Sequence, residues 1–337
     1  MSIKMKGLRS ENNIQVFSWG NGRRFNAAAN YMKKQFGVRI QKLTIDAGFS
    51  CPNRDGTKGI GGCHFCNNDA FNPGYCTSDK SIRQQIEEGI QFHEKRYRRA
   101  TRYLAYFQAY TNTYSSLEIM KSLFEEALSY ENMAGLIIGT RPDCIDEAKL
   151  EYLARLAEHY YVVIEYGIES VNNNTLKSIN RGHTFEDSVE ALDLTRKYGI
   201  KSGAHFIFGL PGETRQEMLD SVEIISSLPL HSVKFHQLQL VKGTRFALDY
   251  ENNPSDFNLF SLGDYVDFIV RFLERMNPEL VVERMAAETQ PWINVKEMWD
   301  IRYDRVVQLI EKRMEELDIW QGKYFVPVDK NNIMQNG

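Results

Sequence analysis

The sequence predicts an α/β fold built on a parallel sheet, either an open doubly wound sheet or a complete or partial barrel. Apolar strand-like runs alternate with amphipathic helical runs from residue 43 onward, the order of βα units that forms parallel sheets. Right-handed crossovers permit both arrangements, and in both the carboxyl ends of the strands meet at one edge. We therefore expect the functional site at that edge.

Six strands are predicted, each an apolar run that ends in polar residues: 43–47, 102–109, 133–140, 160–168, 201–209 and 232–241. Capping-box patterns mark the first turns of three intervening helices, at Ser115 with Glu118, Thr184 with Asp187 and Thr214 with Glu217. Gly199 is placed to end the helix that begins at Thr184. These signals define the order of the βα units.

The regular alternation covers only the middle of the chain. We predict an N-terminal extension over residues 1–41, a core over 42–250 and a C-terminal extension over 251–337. In the last part, residues 251–257 are loop-like, 263–276 are helical, 280–283 are a candidate further strand, and 294–318 read as a long charged helix. We expect this part to close the barrel or to cover its mouth.

Composition narrows the class of protein. The chain has 337 residues, a net charge of −3 and a pI of about 6.2, so its overall charge gives no argument for a nucleic-acid partner. We find no run near the roughly 20 apolar residues that span a bilayer, and the N-terminus lacks the apolar segment of a signal peptide. We expect a cytoplasmic protein without membrane attachment.

Three of the five cysteines lie in one loop directly after the first predicted strand, with the spacing Cys51-x11-Cys63-x2-Cys66. Thiolates favour soft metals, and three ligands from one loop indicate an iron-sulfur cluster with one iron left open. The alternative is a structural zinc site, which needs four ligands, the fourth supplied by Cys76 or His64. Otherwise Cys76 and Cys144 are interpreted as structural.

The cysteine loop, with Phe65 just before Cys66, resembles the cluster loop of radical S-adenosylmethionine (SAM) enzymes in the widely spaced variety of the Elongator catalytic subunit. Its first gap is longer than the commonest spacing, which has three residues there. Residues 166–172, 180–184 and 205–214 resemble the coproporphyrinogen-oxidase-like and Elongator-like branches. Residues 46–56, 106–113 and 139–143 narrow the resemblance to the bacterial YhcC/YtqA-type radical SAM family.

The resemblance implies a partial (β/α)6 TIM-type barrel and a 4Fe-4S cluster held by Cys51, Cys63 and Cys66. It also implies that SAM chelates the open iron and is cleaved to a 5'-deoxyadenosyl radical. An external reductant such as flavodoxin or ferredoxin is implied as a partner. Catalytic residues beyond the cofactor sites are not identified by these motifs.

Six residues are predicted to contact SAM because they match positions of related branches: Phe65, Tyr110, Thr111, Glu169, Arg181 and His205. Alternative interpretations remain for four of them. These are an ion pair at the barrel rim for Glu169 and Arg181, a hydrogen-bonded structural histidine for His205, and a loop aromatic packed on the barrel mouth for Phe65. Arg141 and Asp143, at the end of the third strand, are expected either to bind substrate or to cap the barrel.

The sequence says less about the substrate than about the cofactors. A basic run over residues 93–102, with Arg23-Arg24 and Lys33-Lys34, suits phosphates, although such runs are usually solvated faces. The family resemblance implies tRNA, and conversion of 5-carboxymethylaminomethyl-(2-thio)uridine at the wobble position to the 5-aminomethyl form. Two alternatives are a radical SAM enzyme for a small metabolite or tetrapyrrole, and a non-catalytic zinc-stabilised nucleic-acid-binding module.

Overall fold

Seven parallel strands form the framework of the protein, which we describe from a computed structural model covering residues 8–9, 15–97, 100–289, 291–296 and 299–327. A short antiparallel pair comes first, β1 (Leu8–Arg9) with β2 (Gln15–Val16). The parallel strands are β3 (Ile40–Ile45), β4 (Arg102–Phe107), β5 (Met133–Thr140), β6 (Tyr161–Glu169), β7 (Lys201–Phe208), β8 (Ser232–Gln237) and β9 (Val281–Arg284). They lie side by side in chain order and curl into a half-barrel. The predicted α/β partial barrel is confirmed, and the candidate strand at 280–283 is its seventh strand.

Helices connect the strands and surround the sheet. They are α1 (Ala28–Phe36), α2 (Ile82–Tyr97), α3 (Leu117–Leu128), α4 (Glu147–Ala157), α5 (Asn173–Ser178), α6 (Phe185–Lys197), α7 (Arg215–Ser227), α8 (Arg245–Asn252), α9 (Leu262–Arg275) and α10 (Tyr303–Glu316). Within the described residues, no helix is long and apolar enough to cross a membrane.

Local sequence signals place most helix ends correctly. The capping boxes at Thr184 and Thr214 are both formed. Gly199 follows α6 with a φ of 69°, and its N–H donates a hydrogen bond to Arg196 O. The box predicted at Ser115 is wrong by one residue: Ser116 has the extended backbone of an N-cap and its hydroxyl accepts from Ile119 N–H. The pattern favours Ser115 because Glu118 lies three residues after it, whereas Ile119 holds that position relative to Ser116.

The region after residue 240 differs more from expectation. Helix α8 ends at Asn252, inside the segment predicted to be a loop, and the long helix predicted over 294–318 is only Tyr303–Glu316. Helix α9 packs on the outer face of the sheet, where the Phe272 ring lies 5.1 Å from both Phe208 and Phe235. The proposed domain boundaries at 41/42 and 250/251 stay predictions.

Helix α1 fills the amino-terminal end of the barrel lumen. Met32 packs with inward-facing side chains of β4, β5 and β6, including Leu104, Ile137 and Val163. Ala27 forms a parallel bridge with Val282, so the segment before α1 lies beside the last strand. The lumen is therefore closed at the amino ends of the strands, and the polar carboxyl ends are left for the site.

Candidate active site

The cysteine loop leaves the carboxyl end of β3 and is folded by its own backbone. Cys51 O accepts from Arg54 N–H at 2.8 Å, and Cys66 N–H donates to Cys63 O at 2.9 Å. Gly62, with a φ of 79°, donates its N–H to Asn53 O at 2.8 Å. This left-handed backbone conformation favours glycine, and it turns the chain toward Cys63. The loop thereby brings its three thiols to the mouth of the barrel.

Cationic and amide donors face the sulfur atoms. Arg181 Nη1 lies 3.4 Å from Cys63 Sγ, Asn53 Nδ2 lies 3.6 Å from the same sulfur, and Arg54 Nη2 donates to Cys66 O at 2.8 Å. Burial raises the pKa of the Cys66 thiol to about 11, and the charges of Arg54 and Arg181 oppose that rise. Donors of this kind stabilise thiolate ligands of a metal centre.

Arg181 joins the cysteine loop to the end of β6. Its guanidinium is buried, lies 3.5 Å from Glu169 Oε1 and donates to the carbonyl of Gly167. A Cβ at position 167 would come within 2.5 Å of Glu169 Oε1 and 2.7 Å of Arg181 Nη2, so both side-chain ends would have to shift. Glu169 and Tyr110 both have positive φ, 74° and 59°, which is uncommon for such residues and concentrates at functional sites.

Arg141 and Asp143 form a structural clasp beneath the mouth. Arg141 Nε and Nη2 each lie 2.9 Å from an oxygen of Asp143, and Arg141 Nη1 donates to Arg181 O at 2.8 Å. Lys58 of the cysteine loop reaches the same carboxylate at 2.6 Å. Burial raises the pKa of Asp143, but Arg141 and Lys58 outweigh it and bring the pKa down to about 2. The capping interpretation of this pair is the one its contacts support.

A second group of polar side chains lies deeper in the barrel, and the sequence analysis did not predict it. We call Lys42, Glu165, Lys234 and Glu283 the lumen ring; they come from β3, β6, β8 and β9. Lys234 Nζ lies 2.5 Å from Glu165 Oε2 and 3.8 Å from Glu283 Oε2, and Lys42 Nζ lies 3.8 Å from Glu165 Oε1 and contacts Glu283 closely. Burial raises the pKa of Glu165, but Lys234 and Lys42 hold it well below its usual value.

Matches to two family models identify the family. The sequence matches the radical SAM superfamily over residues 51–225 and the radical SAM C-terminal domain over residues 230–316. The chain belongs to the radical SAM superfamily. Its cofactors are a 4Fe-4S cluster and SAM, so the zinc-stabilised binding module is excluded.

Its relatives agree with this assignment. The chain is 34% identical to the uncharacterized protein YtqA of Bacillus subtilis over 93% of this chain and 96% of that protein, and 35% identical to protein YhcC of Escherichia coli over 82% and 88%. The fold is similar to that of the archaeal Methanocaldococcus infernus Elp3 with an N-terminal deletion, with a TM-score of 0.63, 16% identity, and coverage of 84% of this chain and 64% of that one.

The residues at the mouth fit the cofactors of a radical SAM enzyme. Cys51, Cys63 and Cys66 are the thiols that would hold the cluster, and Arg181 and Asn53 already face Cys63. Two buried atoms beside that cysteine, Arg181 Nε and Asn53 Oδ1, have no hydrogen-bond partner among the described residues. Such atoms are costly to leave unsatisfied, and a polar ligand at the mouth would complete them.

The predicted SAM contacts of this radical SAM enzyme fall into two groups. Five residues lie around the cysteine loop: Phe65, Tyr110, Thr111, Glu169 and Arg181. Thr111 is buried, and its N–H donates a hydrogen bond to Ser50 O at 3.3 Å. Phe65 is half-buried and packs against the apolar cluster that contains Leu176 and Leu238. His205 lies in the lumen instead, with Nε2 3.0 Å from Glu165 Oε2. All six contacts remain predictions.

The remaining cysteines and His64 are explained by burial and packing. Cys76 and Cys144 are buried, and burial raises the pKa of each thiol to about 12, in keeping with inert structural residues. The His64 ring packs edge-on to Phe246 at 5.8 Å. In the part of the chain that the structure describes, no three or more His, Cys, Asp and Glu side chains are arranged as ligands of a single metal ion.

Proposed function

We propose that this radical SAM enzyme modifies the wobble uridine of tRNA, converting 5-carboxymethylaminomethyl-(2-thio)uridine to 5-aminomethyl-(2-thio)uridine. The observation that carries the substrate class is the likeness to a tRNA uridine(34) acetyltransferase of Dehalococcoides mccartyi, 25% identical over 204 residues, which cover 60% of this chain and 43% of that protein. Uridine 34 is the wobble position, so the relative acts on the nucleoside that we propose as the substrate.

When bound, the cluster and SAM supply a carbon-centred radical that removes a hydrogen atom from the substrate. In the proposed reaction, the carbon between the nitrogen and the carboxylate of the side chain loses that hydrogen atom and then one electron. Water hydrolyses the resulting C=N bond, which releases the aminomethyl nucleoside and glyoxylate. SAM is the net two-electron oxidant, and it becomes methionine and 5'-deoxyadenosine while one proton is released. The electron that the reductant supplies at the start is recovered when the substrate radical loses its electron.

The barrel mouth offers a surface that suits unpaired bases. Several large apolar side chains in the segments after the strands are exposed: Ile60, Phe71, Tyr110, Leu248 and Trp292. Trp292 is 70% exposed, and its carbonyl accepts from Lys242, whose own carbonyl accepts from Asn67 just after Cys66. Aromatic rings beside a cation stack on extruded bases, so the cysteine loop has such a platform at its side.

The basic run that motivated a tRNA partner lies elsewhere. Helix α2 starts at the carboxyl end of β3, where Gln85 bonds Asp46, and its chain continues to Arg102 at the amino end of β4. The described part of this run is thus near the end of the barrel opposite the cysteines. Arg98 and Arg99, and the side chains of Arg96 and Tyr97, lie outside the described residues. Arg23 and Arg24 are paired with Glu311 and Asp318.

A second candidate substrate is a tetrapyrrole or other small metabolite. It is favoured by 31% identity over 148 residues, 42% of this chain and 29% of the relative, to the oxygen-independent coproporphyrinogen-III oxidase-like protein HemZ of Bacillus subtilis. This candidate requires no affinity for tRNA, whereas binding of tRNA weakens steeply with salt. Affinity measured at several salt concentrations separates the two.

The deciding experiment uses anaerobically reconstituted holoenzyme with a reductant, SAM and tRNA that carries the carboxymethylaminomethyl group. Mass spectrometry should show 5'-deoxyadenosine, the aminomethyl nucleoside and glyoxylate in equal amounts. Unmodified tRNA is the control and should give no glyoxylate. Formation of 5'-deoxyadenosine with both tRNAs unchanged would refute the proposal and favour the second candidate.

The position of the tRNA is tested with a matched pair of exposed aromatics. Trp292→Ala removes the platform beside the cysteine loop and should weaken tRNA binding about tenfold, the effect of losing one stacked base. Tyr324→Ala removes an exposed ring near the C-terminal end of the described chain, 59% exposed, and should leave binding unchanged. Equal losses in both variants, measured by equilibrium binding at fixed salt, would place the tRNA elsewhere.

A further inference from the structure

The lumen ring is a set of four charges held inside the barrel. The side chains of Glu165 and Glu283 are 1% and 5% exposed, and that of Lys234 is 11% exposed. The ring is electrically balanced, with two cations and two carboxylates. Tyr106 adds its hydroxyl, 3.0 Å from Lys234 Nζ, and His205 adds Nε2 at Glu165. Six of the seven parallel strands thus each contribute one of these six polar side chains.

Stability does not explain this arrangement. Removing charges from water is costly, and buried ion pairs are commonly no more stabilising than apolar residues of similar size. Apolar side chains can fill this barrel, because Leu104, Ile137 and Val163 pack against α1 nearer the amino ends of the strands. Charges next to this apolar packing therefore indicate a function that apolar residues would not serve.

The ring lies directly below the cofactor mouth. Glu165 is two residues before Gly167, whose carbonyl binds the Arg181 that contacts Cys63, and two residues of a strand span about 7 Å. Its hydrogen bonding is incomplete. Glu165 Oε1 and, nearby, His236 Nε2 are buried without a hydrogen bond in the described structure, and the side chains of Lys42 and His205 keep 27% and 23% exposure.

We infer that the lumen ring binds a zwitterionic substrate group, an amine cation and a carboxylate separated by one carbon. This inference rests on the proposed function, in which the N-linked carboxymethyl group of the nucleoside is such a group. The carboxylate would lie against Lys42 and Lys234, and the amine against Glu165 or Glu283. A neutral zwitterion exchanges partners with a neutral ring, whereas a lone anion or cation would leave a buried charge uncompensated.

The test compares three nucleosides that differ in the charge of one substituent. Reconstituted holoenzyme with SAM is titrated with 5-carboxymethylaminomethyluridine, 5-aminomethyluridine and 5-carboxymethyluridine, which are zwitterionic, cationic and anionic at that group. We expect the zwitterion to bind at least tenfold more tightly than either of the others. Equal affinity for the zwitterion and the anion would overturn the inference, and this comparison requires no variant.

Variants then assign the preference to the ring. Lys234→Met should reduce the preference for the zwitterion at least tenfold. Because that change leaves a buried carboxylate without its partner, the pair variant Lys234→Met with Glu165→Gln, which removes one charge of each sign, is measured beside it. Lys197→Met, which breaks an exposed ion pair with Glu147 on the outside of the barrel, is the matched control and should keep the preference. Retention of the preference in both ring variants would overturn the inference.

Failure of the inference is distinguishable from failure of the proposed function. If tRNA is unchanged but the free zwitterionic nucleoside binds in a Lys234-dependent manner, the ring is supported and the tRNA assignment fails. If tRNA carrying the carboxymethylaminomethyl group is converted equally well by wild type and the pair variant, the proposed function stands and the ring inference fails. Iron content and 5'-deoxyadenosine formation, recorded for every variant, identify loss of cluster loading.

Discussion

Two polar regions of the barrel, the cysteine loop at its mouth and the lumen ring below it, are built in different ways. The cysteine loop at the mouth is one continuous segment whose three thiols lie within 16 residues, folded largely by its own backbone. The lumen ring collects four side chains from residues 42 to 283, and no two of them lie on neighbouring strands except those from β8 and β9. The three thiols therefore come together through local sequence, whereas the lumen ring forms only when the whole sheet has folded.

The largest expected effect is the removal of a thiol from the loop. Cys63→Ala should eliminate cluster binding and 5'-deoxyadenosine formation, because a cluster with two protein ligands is not retained. Cys144→Ala is the control, since that cysteine is buried at the end of β5 and outside the loop. Iron analysis and the visible absorption of the reconstituted proteins measure the difference. Equal iron loss in both variants would show that fold damage, rather than ligand loss, is responsible.

This difference also explains what the sequence could predict. All six predicted strands and the capping boxes at Thr184 and Thr214 follow from local periodicity and capping, which act over a few residues. The thiol group follows from spacing, because all three cysteines share one loop. Lys42 and Lys234 carry no such signal, since each is a single lysine within its strand. Their proximity depends on the register and curl of the whole sheet, which one sequence does not display.

The same reasoning applies to two predictions that remain untested. Lysine and arginine residues near position 95 suggest a phosphate-binding patch, but only the direction of α2 reveals that they lie away from the cysteines. His205 matches a family position for SAM, yet its nearest polar partner is Glu165 within the lumen. Local sequence gives the identity of a side chain and its strand, and the topology decides which end of the barrel it faces.

Breaking the ring should affect stability as well as binding. Lys234→Met leaves the Glu165 carboxylate buried with weaker compensation, and we expect a loss of about 4 kcal/mol in the free energy of unfolding, as for broken buried ion pairs. The pair variant with Glu165→Gln should lose less, because no uncompensated charge remains. Denaturant unfolding of the three proteins measures both values, and a pair variant less stable than Lys234→Met would contradict this account.

The ring should also make stability depend on pH. The pKa of Glu165 is lower in the folded protein than its ordinary value of 4.5, so its stabilising contribution is present above pH 4.5 and is lost as pH falls through the folded pKa. Wild type should therefore lose stability more steeply on acidification than the pair variant, which lacks this carboxylate. Parallel curves of unfolding free energy against pH would refute the linkage.

A smaller effect is expected at the clasp that joins the mouth to β5. Asp143→Asn removes the charge that Arg141 and Lys58 share and should cost about 2 kcal/mol, the scale of a hydrogen bond to a charged group. Lys58→Met is the matched variant, and it should cost less because Lys58 is 42% exposed. The folded pKa of Asp143 is about 2, against 3.8 ordinarily, so wild type should lose this contribution between about pH 4 and pH 2.

The smallest effect separates the predicted helix start from the observed one. Ser116→Ala should cost about 1 kcal/mol, because its hydroxyl accepts from Ile119 N–H at the first turn of α3. Ser115→Ala should change stability much less, although Ser115, with Glu118 three residues on, is the serine that matches the capping-box pattern in sequence. Denaturant midpoints of the two variants decide between the serines. A larger loss at Ser115 would move the N-cap back by one residue and restore the box that the sequence predicts.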